Sequence, residues 1–123
     1  MLENQKRWRL LGDFKKGEYC FLIGVDNWSI ELQKSQFNSL YLLLLRINEQ
    51  LLVINDELMD EESISLELEQ LPWYIQLEGK KNEWSLRFVF ESQDLTRSFE
   101  MYWPIPIAQI LLNEIKNMWE SMD

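Results

Sequence analysis

Apolar and polar residues alternate along several short stretches of the chain, which is the pattern of strands with one buried face. The clearest stretch is 28–32, where Trp28, Ile30 and Leu32 alternate with polar residues. Stretch 19–25 is continuously apolar, as in a strand covered on both faces. Glycine, proline and asparagine, which favour turns, lie between these stretches. The predicted strands are 8–11, 19–25, 28–32, 64–69, 73–78, 84–91 and 97–103.

A helical period replaces the alternation from about residue 34 to residue 58. Apolar residues recur there at three- and four-residue steps, at Phe37, Leu40, Leu44, Ile47, Leu51, Ile54 and Leu58. Leu42, Leu43 and Val53 lie outside this stripe, so the middle of the helix is apolar nearly all round. Such a helix needs a second packing surface, either beneath a curved sheet or at a subunit interface.

The order of elements predicts an α+β fold with antiparallel sheets, one long helix and one C-terminal helix that follows Pro104-Ile105-Pro106. The order βββα-ββββα suggests a duplicated sheet-plus-helix unit, with halves at approximately 1–62 and 63–123. The 123 residues are enough for one domain and one core. No apolar run approaches the roughly 20 residues of a membrane span, so no membrane association is expected.

The net charge limits the kinds of molecule that the protein can bind, and the cysteine content indicates its cellular compartment. Twelve basic and 21 acidic residues give a formal net charge of −9, which repels nucleic acid and anionic lipid and favours cationic partners. Cys20 is the single cysteine and lies in an apolar run, so it is expected in the core and cannot form an intramolecular disulfide. The first dozen residues resemble no secretory signal. We therefore expect a cytoplasmic protein.

The sequence lacks the residues and motifs on which common catalytic mechanisms depend. The sequence contains no histidine, which removes the usual general base and the commonest zinc ligand. Neither Gly12 to Gly17 nor Gly24 has the spacing of a phosphate-binding loop. We therefore predict a protein that is not an enzyme and has no cofactor.

An acidic segment follows the long helical period. Its carboxylates belong to Asp56, Glu57, Asp60, Glu61 and Glu62. Carboxylates near the C-terminal end of a helix are unfavourable to the helix dipole, so some compensation is expected. A calcium or magnesium ion is one alternative, although the ligand spacing of an EF-hand is missing. A solvated turn is the other.

One short cluster combines basic and aromatic residues, namely Lys6, Arg7, Trp8 and Arg9. This composition can neutralise phosphates and stack bases in single-strand binders. A solvated edge strand is the alternative, because the glutamates at 31, 67, 69, 78 and 100 outnumber Arg87 and Arg97 on the outward strand positions.

Three segments, 26–32, 57–62 and 85–88, together resemble an uncharacterised cyanobacterial family, domain of unknown function 1818. The resemblance implies a Whirly-like fold, related to single-stranded-DNA-binding transcriptional regulators and to positive cofactor four. It implies no catalytic residue. The Lys-Gly-Lys-Ala-Ala-Leu motif of DNA-binding Whirly proteins is missing, and the family's usual Thr at the start of the long helix is Gln33 here, a poorer N-cap.

Two functional hypotheses follow. The first is a non-enzymatic protein-interaction module that acts as a homodimer, because the long helix is too apolar to face water on every side. The alternative is a single-stranded nucleic-acid-binding or transcription-regulator-like protein, which the net charge disfavours.

Overall fold

The computed structural model describes residues 7–122, and its elements follow the predicted order. Its strands and helices are β1 Trp8–Gly12, β2 Phe21–Val25, β3 Trp28–Leu32, α1 Lys34–Asn55, β4 Ser63–Gln70, β5 Trp73–Lys80, β6 Glu83–Glu91, β7 Ser98–Trp103 and α2 Ile107–Ser121. A short 3-10 turn, Phe14–Lys16, lies between β1 and β2. The predicted α+β fold with the order βββα-ββββα is confirmed.

The strands form two antiparallel sheets, ordered β1-β2-β3 and β4-β5-β6-β7. A two-residue turn at Asp26-Asn27 joins β2 to β3, with Val25 opposite Trp28. The turn between β5 and β6 consists of Lys81-Asn82 alone, because Gly79 and Lys80 belong to β5. Both turns place one residue at positive φ, Asp26 at 50° and Asn82 at 65°, and short polar side chains tolerate this conformation.

Helix α1 begins where predicted and ends three residues early. Gln33 is the N-cap, and the side chain of Gln36 accepts a 2.9 Å hydrogen bond from the Gln33 backbone N–H. This bond satisfies one backbone donor at the helix entry without Ser or Thr. The helix ends at Asn55, so the prediction that it reaches Leu58 was wrong. The acidic residues after Asn55 are unfavourable to the negative end of the helix dipole.

The two sheets and two helices share one hydrophobic core. Helix α1 packs mainly on β4 and β5, α2 packs on β6 and β1, and the helices contact each other. The rings of Phe21 and Phe37 stack at 4.0 Å between centroids, which joins β2 to α1. Cys20 is a buried free thiol, as predicted. The largest fully buried side chains are Trp73, Trp103, Phe21, Phe37, Phe88 and Phe90.

Among residues 7–122, α1 alone is long and apolar enough to cross a membrane by length and composition. A core helix passes the same test, and α1 buries one side of its surface in the core. The expectation of no membrane association stays a prediction. The buried residues of α1 are Phe37, Leu40, Leu43, Leu44, Ile47 and Leu51.

Candidate functional site

One face of α1 remains exposed and carries much of the apolar surface predicted outside the main stripe. Leu43 is fully buried, but Leu42 is 39% exposed and Val53 is 72% exposed. These two residues share a face with Arg46 and Glu49, because the spacings of four, three and four residues follow the helical repeat. We call Leu42, Arg46, Glu49 and Val53 the exposed seam.

The exposed seam is symmetric in its chemistry about the point midway between Ile47 and Asn48. Leu42 and Val53 lie at equal distances from this point, and so do Arg46 and Glu49. Apolar side chains therefore occupy both ends, with one cation and one anion between them. Such a face is complementary to a second copy of itself that runs antiparallel.

Arg46 is held in place beside the edge strand β4. Its Nη1 donates to the backbone carbonyl of Glu69 at 3.0 Å and to the side-chain oxygen of Gln70 at 3.1 Å. A further apolar residue, Leu52, is 61% exposed on the flank of the seam. The seam therefore combines exposed apolar groups with an arginine fixed by neighbouring strand residues.

The outer face of the four-stranded sheet is strongly acidic. The register places its glutamates with Arg87 on one face, while the helices pack on the other. Arg87 lies 3.7 Å from Glu100, and Tyr74 donates a 2.7 Å hydrogen bond to Glu67, which raises the pKa of Tyr74. Such a face repels phosphates. Its glutamates are Glu67, Glu69, Glu78, Glu83, Glu91 and Glu100.

Residues 7–9 of the cluster predicted to bind nucleic acid make contacts within the protein. Lys6 lies outside the described residues. Arg7 makes a bidentate pair with Asp26 at 2.8 and 3.0 Å, which raises the pKa of Arg7 and lowers that of Asp26. Trp8 is partly buried against the core, and Arg9 donates to the carbonyl of Trp28 at 2.8 Å. These contacts give the nucleic-acid hypothesis no support.

The predicted acidic segment lies in the loop between α1 and β4, and all five of its carboxylate residues are exposed. Glu62 accepts a 3.0 Å hydrogen bond from the backbone of Met59. Across residues 7–122, no three Asp, Glu or Cys side chains are grouped so that they could hold a metal ion. The metal alternative therefore gains no support from Asp56, Glu57, Asp60, Glu61 or Glu62.

A cleft of about 520 Å³ lies where the two predicted halves meet, and the sequence did not predict it. Its walls come from segments far apart in the chain, so no local motif marks it. Arg97 was predicted to lie in the last strand, but it precedes β7 and lines this junction cleft. The lining residues are Tyr19, Gln33, Ser35, Gln36, Ser39, Leu71, Pro72, Phe90, Ser92, Gln93, Asp94, Thr96 and Arg97.

The geometry defines a two-sheet α+β protein with an exposed helix face and a polar cleft. The chain belongs to the family described as domain of unknown function 1818 (DUF1818), which it matches over residues 3–118. The predicted family is therefore confirmed. The Whirly-like fold that the resemblance implied stays a prediction.

One solved structure extends the comparison. The chain is similar to a protein of unknown function from the DUF155 family of Prochlorococcus sp. NATL2A, known from a crystal structure. The two are 34% identical and superpose with a TM-score of 0.83, over 91% of this chain and 93% of the other. No curated protein matches the chain.

Proposed function

We propose that this chain is a non-enzymatic protein-interaction module that acts as a homodimer through the exposed seam of α1. The observation that carries the proposal is the symmetry of the seam, in which two apolar ends enclose one cation and one anion. A helix face that contacts only water normally carries polar side chains, whereas this face exposes both Leu42 and Val53.

In the proposed dimer the two α1 helices pack antiparallel about a twofold axis. Leu42 of each copy then lies against Val53 of the other, and Arg46 of each copy lies opposite Glu49 of the other. The twofold axis forms each contact twice, so the dimer contains two apolar contacts and two contacts between a cation and an anion. Leu52 adds apolar contact at the margin.

The exposed areas set the strength of this association. The exposed fractions of Leu42, Leu52 and Val53 together equal less than two fully exposed residues. At about 1.5–3 kcal/mol for each such side chain, burial in both copies contributes on the order of 5–10 kcal/mol. The entropy cost of association is about 4–15 kcal/mol, and exposed ion pairs add about 0–1 kcal/mol each. The favourable end of this balance is about −8 kcal/mol, so we expect a weak dimer with a dissociation constant no tighter than the micromolar range.

Sedimentation velocity over a range of concentrations tests the proposal through a charge exchange. Arg46→Glu and Glu49→Arg should each weaken the dimer, because each places like charges opposite each other. The double variant restores opposite charges and should recover dimerisation. A wild-type chain that is monomeric at several hundred micromolar would overturn the proposal, and so would a double variant no better than the single ones.

A second pair of variants tests the apolar ends. Val53→Lys should abolish self-association, because it buries a cation against Leu42 of the second copy. Leu95→Lys is the matched control, since Leu95 is 73% exposed but lies in the loop between β6 and β7. Equal effects of the two substitutions would count against the seam.

Single-stranded nucleic-acid binding is the weaker hypothesis. The outer sheet face carries six glutamates against one arginine and one lysine, and Arg7 and Arg9 are hydrogen-bonded within the fold.

A further inference from the structure

The junction cleft is built from four separate parts of the chain. They are the first turns of α1, the Leu71-Pro72 turn, the end of β6 with the loop 92–97 that follows it, and Tyr19. Its volume of about 520 Å³ falls within the range of about 300–1,000 Å³ typical of small-molecule pockets. The cleft lies apart from the exposed seam, so the two surfaces can be tested separately.

Arg97 supplies a fixed positive charge to the cleft. Its guanidinium lies 5.3–5.5 Å from the ring centroids of Tyr19, Phe90 and Phe99, and its Nη2 donates to the carbonyl of Glu31 at 2.7 Å. Its Nη1 is buried without a hydrogen-bond partner. None of the ion pairs within residues 7–122 includes Arg97. The guanidinium is therefore held in place by three aromatic rings and one carbonyl, without a carboxylate partner in the described part of the chain.

Asp94 supplies a fixed negative charge to the same cleft. Its Oδ1 accepts hydrogen bonds from the Ser92 hydroxyl at 2.8 Å, the Thr96 hydroxyl at 2.7 Å and the Thr96 backbone N–H at 3.1 Å. These bonds lower the pKa of Asp94, so the carboxylate is ionised at neutral pH. Oδ2 takes no part in them, and no ion pair of the described residues includes Asp94.

Two unpaired charges of opposite sign in one cleft restrict the class of ligand. A simple anion would meet the Asp94 carboxylate, and a simple cation would meet the Arg97 guanidinium. A molecule with both signs can satisfy both groups. The remaining lining is mainly amide and hydroxyl side chains, including Gln36, Ser39 and Gln93, which suit a ligand with a polar body.

We propose that the junction cleft binds a small zwitterionic molecule, an α-amino acid or short peptide with a free ammonium and a free carboxylate. The carboxylate faces the guanidinium of Arg97, and the ammonium faces the Asp94 carboxylate. The hydrogen bonds that tie Asp94 and Arg97 to Ser92 hold the loop in shape before the ligand arrives.

Calorimetric titration with three matched probes tests the proposal on the wild-type chain. Glycylglycine carries both charges, N-acetylglycylglycine lacks the ammonium and glycylglycinamide lacks the carboxylate. We expect glycylglycine to bind and each blocked probe to bind at least tenfold more weakly. Equal binding of the three probes, or no binding of glycylglycine at millimolar concentration, would overturn the proposal. Inorganic phosphate that binds as tightly as glycylglycine would show a simple anion site instead, and would also overturn it.

The variant Asp94→Asn tests the ammonium subsite. Asparagine keeps a carbonyl oxygen for the bonds from Ser92 and Thr96 but removes the charge. Glycylglycine should lose at least tenfold in affinity, and N-acetylglycylglycine should not weaken. Asp26→Asn removes the same charge at a site paired with Arg7 and serves as the control. If Asp94→Asn fails to fold, the comparison of probes on the wild type still decides the matter.

Discussion

Trp73 and Trp103 offer a controlled test of how hydrogen bonding contributes to this core. Both side chains are fully buried, and Trp→Phe removes the same atoms from each. They differ at the indole nitrogen. Nε1 of Trp73 donates to the backbone carbonyl of Gln36 at 2.9 Å, which ties β5 to α1, whereas Nε1 of Trp103 is buried without a partner.

The expected cost of each substitution follows from these two environments. The lost packing costs about 1–3 kcal/mol at both sites, a fraction of the 3–5 kcal/mol typical of Trp→Ala. Trp73→Phe also loses a hydrogen bond of about 1 kcal/mol net, so its free energy of unfolding should fall by about 2–4 kcal/mol. Trp103→Phe removes an unsatisfied donor, which offsets about 1–3 kcal/mol of the packing loss. We expect Trp103→Phe to be the more stable variant by about 2–4 kcal/mol.

Urea unfolding followed by far-UV circular dichroism measures the difference in unfolding free energy between the two variants. The slope of this free energy against urea concentration also shows whether the unfolded state has changed. All samples need the same protein concentration, because self-association adds to the apparent stability. The melting temperatures of the two variants should differ by on the order of 10 °C. If Trp103→Phe loses as much stability as Trp73→Phe, the account of the unpaired indole is refuted.

Three further predictions concern backbone conformation and charge. Gly79→Ala should destabilise the β5–β6 hairpin by about 2 kcal/mol or more in urea unfolding, because Gly79 has φ of +152° and a Cβ there collides with the Glu83 carbonyl. Leu95→Asn should raise the free energy of unfolding by about 0.5–1 kcal/mol, because Leu95 is exposed at φ of 60° and asparagine tolerates that region better; a loss of stability would contradict this. The hydrogen bond from Arg7 lowers the native pKa of Asp26, so this pair stabilises the fold above the unfolded pKa and its contribution is lost as the pH falls through the lowered value. Asp26→Asn should therefore be less stable than the wild type at pH 7, with the difference in unfolding free energy vanishing in acid, and a difference independent of pH would refute the linkage.

The strands were predictable because alternation reports directly which side chains a sheet buries. Strand β6 shows this most clearly, since the residues predicted to share one face are all buried. The end of α1 was not predictable in the same way. Leu58 continues the helical stripe and is partly buried against the core, yet the helix has already ended at Asn55. Periodicity records burial, whereas the end of a helix depends on backbone hydrogen bonds. The buried residues of β6 are Trp84, Leu86, Phe88 and Phe90.

The candidate sites were predictable only in part. Leu42, Leu43 and Val53 look alike in the sequence, but Leu43 is buried while the other two are exposed. The difference depends on where α1 lies on the sheet, which no local pattern reports. The junction cleft could not be predicted at all, because Tyr19, the first turns of α1 and the Leu71-Pro72 turn reach the loop 92–97 only through the tertiary fold.

The packing of the helices has a consequence for the origin and the divisibility of the chain. Helix α1 of the first half packs mainly on β4 and β5 of the second half, whereas α2 contacts both β6 of its own half and β1 of the first half. The first sheet-plus-helix unit alone would therefore leave α1 without β4 and β5, the strands that it mainly covers. If the halves descend from one ancestral unit, a helix placed like α1 needed a second copy of that unit to supply its sheet, and the loop 56–62 now joins the two units covalently. A fragment that ends before this loop should accordingly be unfolded alone, and its mixture with the second fragment should regain the native spectrum.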